Sequence, residues 1–210
     1  MKSKLFNYGG IAAAFVLVAF GIASMVVGVN GRDTVRSNLS NEAIVGSPDM
    51  TPKAIAAEAK GAGLGNVALP TKAVAGQTIN TGSEARAFAE YMRIHALEAS
   101  GGKTYAEMPR FATADGKGTN DEKAALQNPK SGQPVDNPIR GLWITETALS
   151  TALNTSYMAE RISLFGIVTG IAMLLAGIGL GVLSLFVFGA LKMPKRKEGE
   201  APAVTPAPAA

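Results

Sequence analysis

Two long apolar runs constrain what this chain can fold into more than any other feature. Residues 9–29, GGIAAAFVLVAFGIASMVVGV, are 21 positions with Ser24 as the only clearly polar side chain. A helix rising 1.5 Å per residue crosses a hydrocarbon core of roughly 30 Å with about 20 such residues. Residues 162–191 form a second run of 30 positions between Arg161 and Lys192, broken only by Ser163, Thr169 and Ser184. At about 45 Å as a helix it exceeds the core, so it must tilt or project. These runs account for a composition with 47% hydrophobic and only 17% charged residues. The expected fold class is an all-α membrane protein: two transmembrane helices with a mostly helical and loop exported domain between them.

A cleaved signal peptide competes for the first run, because Lys2 and Lys4 resemble a positive leader. The run is longer than the usual apolar region of a signal, and VGVNGRD matches a small-x-small cleavage site poorly, so an uncleaved span is expected. Lys2, Lys4, Lys192, Lys195, Arg196 and Lys197 flank the outer ends, against Arg32, Arg36 and Arg161 on the inner ones. The positive-inside rule therefore places both termini in the cytoplasm of a cell membrane. The expected order is a cytoplasmic N-terminus (1–8), helix 9–29, an exported domain (30–161), helix 162–191, and a cytoplasmic tail (192–210) that is basic and then disordered and Pro/Ala-rich.

The net charge of +4 comes from the ends, since residues 30–161 carry 14 basic and 14 acidic side chains. A nucleic-acid-binding face is thereby excluded, and Lys192, Lys195, Arg196 and Lys197 read as topology determinants that also meet anionic lipid headgroups. With no cysteine, disulfides, thiolate metal sites, iron–sulfur clusters and covalent haem are excluded. No cofactor is expected.

Between the runs, residues 30–52 read as extended or loop, 53–62 as a short alanine-rich helix, and GAGLGNVALPTKAVAGQTINTG as flexible or folding only on a partner. The clearest helix covers 83–100, with Ser83 as its cap, Gly101 and Gly102 as its stop, and Phe88, Met92, His95, Tyr91 and Leu97 toward an apolar face. Residues 111–138 read as surface loop with one helical turn around 121–126. A second helix over 138–161, with Pro138 at its first position, runs into the second span as one long helix or a kinked pair.

Small residues mark each span. Gly166, Gly170, Gly177, Gly181 and Ser184 fall within about 60° on a helical wheel, and Gly10, Ala14, Gly21, Ser24 and Gly28 make a matching stripe. Such stripes gain nothing against acyl chains but let another helix come close, whether internal or from another protein.

Catalysis finds little material. His95 is the only histidine, no Gly-x-Ser-x-Gly elbow exists, GAGLG does not make a dinucleotide fingerprint, and no charge lies inside a span. His95 is expected to be a half-buried helical residue beside Phe88 and Met92, and a metal or haem role would need ligands from another subunit. The chain is expected not to be an enzyme.

HALEASGGKTYAEMPR (95–110) and ALSTALNTSYMAERISLFGIVTGIAMLLAGIG (148–179) resemble a group of small actinobacterial membrane proteins with two spans and an exported loop. Their function is unassigned, although many carry a label of aromatic-ring-opening dioxygenase. One histidine cannot supply the iron site that label implies. A looser resemblance is to accessory subunits of the actinobacterial cytochrome bcc–aa3 respiratory supercomplex. It implies a non-catalytic subunit docking onto cytochrome bcc and aa3 oxidase subunits and lipid, through the small-residue faces and through His95, Tyr105 and Trp143. The alternative is a periplasmic lipid or small-molecule binding membrane protein, with Phe88, Met92 and Trp143 lining its site.

Overall fold

The computed structural model describes residues 2–187, with side chains from 8 to 186. Lys192, Lys195, Arg196, Lys197 and the expected disordered tail lie outside the described residues, as do the side chains of Lys2 and Lys4. Four helices form: α1 (Lys2–Asn41), α2 (Pro52–Gly61), α3 (Gly82–Ala99) and α4 (Pro138–Val187). Among the described residues there is no strand, only isolated β-bridges. Helices α1 and α4 each contain a stretch long and apolar enough to cross a membrane. The chain divides into two compact units, Met1–Ile22 with Ile171–Ala210, and Ala23–Gly170.

In the first unit the early part of α1 meets the later part of α4 through small side chains. Gly10 lies against Ser184, and Ala14 lies against Gly177 and Gly181. A Cβ at Gly177 would stand 2.9 Å from the Ala14 carbonyl oxygen, so only glycine permits this approach. Gly21 is buried. Bulky apolar residues face away from the contact, with Phe15 at 74% exposure.

In the second unit α1 and α4 again approach through small residues. Ser24 Oγ donates 2.8 Å to the Gly166 carbonyl. Gly28 abuts Ser163 and Ile167, and Gly170 is buried. Contrary to the loop expected after residue 29, α1 continues to Asn41. Val35 and Leu39, one turn apart, are buried in the core and secure this extension. Arg32 and Glu160 pair at 3.9 Å near the ends of the apolar stretches.

The main core joins Val35 and Leu39 of α1, Ile55 and Ala59 of α2, Ala85, Tyr91 and Ile94 of α3, and Leu153 of α4. Tyr91 is fully buried and its hydroxyl donates 3.2 Å to the Lys72 carbonyl. Residues 62–81 are also ordered against this core, contrary to the flexibility expected from their small residues, because Val74 and Ile79 are fully buried. Gly46 N donates to Gln77 O and Ile79 N to Ile44 O, which satisfies backbone groups that no helix serves.

The cap of α3 is Thr81 rather than Ser83. Thr81 Oγ1 accepts from Glu84 N while a Glu84 carboxylate oxygen accepts from Thr81 N at 3.0 Å, a reciprocal capping box. Residues 121–126 form turns, not a helix. Helix α4 runs unbroken from Pro138, and a second cluster packs its Trp143 against Ala96, Leu97 and Met108.

Candidate functional site

The one histidine sits within a cluster assembled from three segments. Helix α2 starts where Thr51 Oγ1 accepts from Ala54 N at 3.2 Å, with Pro52 in the first turn. It buries Ile55 and Ala59, which leaves Glu58 beside α3. On α3, burial of Tyr91 and Ile94 fixes the adjacent His95, whose side chain keeps 31% exposure. The turn at 47–50 closes with Met50 N donating to Ser47 O, and Met50 O in turn accepts from Val74 N and Ala75 N. Asp49 is thereby brought to the other edge of the ring.

His95 Nδ1 lies 2.7 Å from Glu58 Oε1, and Nε2 lies 3.5 Å from Asp49 Oδ2. With Glu58 ionised, its carboxylate only accepts, and Nδ1 is then the donor. Burial pushes the Glu58 carboxyl above its usual range, and a hydrogen bond with Glu98 pushes the same way while His95 opposes. The Ser47 hydroxyl donates to Asp49 and holds that carboxyl below its usual range. Asp49, Glu58 and His95 each offer a ligand atom within 4.8 Å of the others. All three groups come from this one chain. Since Ser47 gives its proton to Asp49 and not to the imidazole, the pairing that activates a serine nucleophile is not formed.

An apolar groove of about 610 Å³ opens elsewhere in the same unit. Leu39, Ile44, Phe88, Met92, Leu149 and Leu153 line it, with Asn38, Glu42 and Ser156 as polar members. Its size falls in the range of small-molecule sites, about 300–1,000 Å³. Phe88 and Met92, read from sequence as part of a core face, are half-buried and edge this groove; the fully buried positions of α3 are Ala85, Tyr91 and Ile94.

The expected docking residues separate. Tyr105 is 41% exposed, with the Arg140 guanidinium 4.0 Å from its ring centroid. Trp143 does not offer a docking surface: it is 3% exposed because Ala96, Leu97 and Met108 already cover it. The same burial removes it from the groove. Asp49, Glu58, Leu39 and Ile44 had no sequence signal, since each meets its site only through long-range packing. Comparison with protein-family models, with curated proteins and with solved structures finds no match to this chain.

Proposed function

We propose that this chain is a membrane-anchored, non-catalytic binding protein whose groove takes up the hydrocarbon chain of a lipid. The two apolar stretches serve as membrane spans, both termini are cytoplasmic, and residues 30–161 are exported. The groove is the observation that carries this reading. Leu39 and Leu153 belong to the same helices as the apolar stretches, and Asn38 follows Val29 by nine residues, about 14 Å along a helix. An acyl chain leaving the outer leaflet therefore has a short way to travel, past the Arg32–Glu160 pair, before it meets the apolar lining. No lysine or arginine lines the groove, whose one charged member is Glu42, so an uncharged tail suits it better than a fatty carboxylate.

The exposed side chains of the spans support the anchor. Phe165 at 71% exposure would be costly in water but not against lipid. The test is lipid analysis of the full chain purified in mild detergent, beside Ala152→Trp; Ala152 is a small residue that also lines the groove, so the larger side chain fills it. We expect about one lipid per wild-type chain and loss of it in the variant. Equal lipid content in both, or none in either, would sink the proposal.

A second reading, an accessory subunit of an envelope complex such as the bcc–aa3 supercomplex, is favoured by Ile144 and Leu142, which are exposed on α4 outside the apolar stretch. Native purification separates the two: co-purifying cytochromes support the subunit.

A further inference from the structure

We propose that His95 and Asp49 ligate a divalent first-row transition ion of the zinc type, with Glu58 orienting the imidazole. The site is separate from the groove and independent of its reading. With Glu58 ionised, the 2.7 Å contact puts a proton on Nδ1, which leaves the Nε2 lone pair directed toward Asp49 Oδ2 at 3.5 Å. Two acceptors then face one another, a repulsion that a cation between them relieves. A tetrahedral zinc ion with ligands at about 2.0–2.2 Å sets those ligands roughly 3.3–3.6 Å apart, which matches the separation. A second proton, making an imidazolium, is the competing occupant.

Three further observations favour the ion. A carboxylate on the non-ligating nitrogen of a metal-bound histidine is the usual outer partner, fixing ring orientation and raising basicity, and Glu58 stands in that place. Negative charge is in surplus: Glu98 approaches Glu58, and among the described residues no lysine or arginine pairs with Asp49, Glu58 or Glu98. Asp49 is 48% exposed, so the ion has an entry path and water can complete its coordination. An imidazole with carboxylates suits zinc or cobalt better than magnesium or calcium, which prefer all-oxygen shells.

The experiment is titration of Zn²⁺ and Co²⁺ into the full, untagged chain in mild detergent at neutral pH, by calorimetry and cobalt absorption. One ion per chain is expected. Asp49→Asn and His95→Gln should each weaken binding at least about tenfold, and Glu58→Gln about tenfold with stoichiometry kept. Asp49 lies on an exposed turn, so its variant is expected to fold, which circular dichroism checks. Should His95→Gln fail to fold, Asp49→Asn decides. Absence of saturable binding below about 1 mM, a bound as weak as −4.1 kcal/mol, overturns the proposal. So does an Asp49→Asn variant that binds Zn²⁺ like the wild type, leaving the proton as the occupant.

Discussion

Glu58 is a carboxylate whose environment works against its charge. Burial raises its pKa above the ordinary 4.5, so the folded chain holds this proton more tightly than the unfolded chain does. Stability must then fall as pH rises from 4.5 through the raised value. Asp49 has the opposite sign, with a contribution present above 3.8 and lost as pH falls through its lowered value. With a chelator present, Glu58→Gln should flatten the decline in melting temperature just above pH 4.5 and leave the acid limb in place. A variant whose profile between pH 4 and 7 superimposes on the wild type's would refute this linkage. The half-buried state of His95 was legible from helical spacing. Its partners were not: Glu58 and Asp49 are 37 and 46 positions away in sequence, brought in by α2 packing and by the turn at 47–50.

At the scale of elements, the small-residue stripes of α1 and α4 meet each other within each unit. Identical substitutions should therefore differ in sign with position. A Cβ at Gly28 would lie 2.6 Å from the Ser163 carbonyl and 2.7 Å from Ile167 Cγ1, whereas one at Gly179 meets nothing within 4 Å. Gly28→Ala should cost about 1–3 kcal/mol through overpacking, while Gly179→Ala leaves stability unchanged or slightly raised. Reversible unfolding in mixed micelles measures both, and equal effects would show that the stripe is not a contact. The apolar stretches were readable because 20 residues of hydrocarbon leave few alternatives. The extension of α1 to Asn41 was not, since Val35 and Leu39 are too few to show a period. The cap at Thr81 lay two residues from the expected Ser83 because only Thr81 sits three residues before Glu84.

For the whole molecule, the proposed topology predicts that alkaline phosphatase fused after residue 200 stays inactive in cells, since the enzyme works only when exported. An active fusion would invert the orientation. Helical class was legible in the sequence, but the ordering of residues 62–81 was not. Their small residues resemble a linker, and it is the buried Pro70, Val74 and Ile79 that reveal that they fill space between helices. The segment beyond Leu126 is different. Its hydrogen bonds close on themselves, Asn128 N to Gln133 O, Gly132 N to Asn128 O and Val135 N to Leu126 O, and residues 126–133 are all exposed. Because its ends are already held together, extra chain at Gly132 costs only loop-closure entropy, about 0.6 kcal/mol for each doubling of length. Here the chain can grow, whether by natural insertion or by an engineered epitope, without disturbing the packed helices.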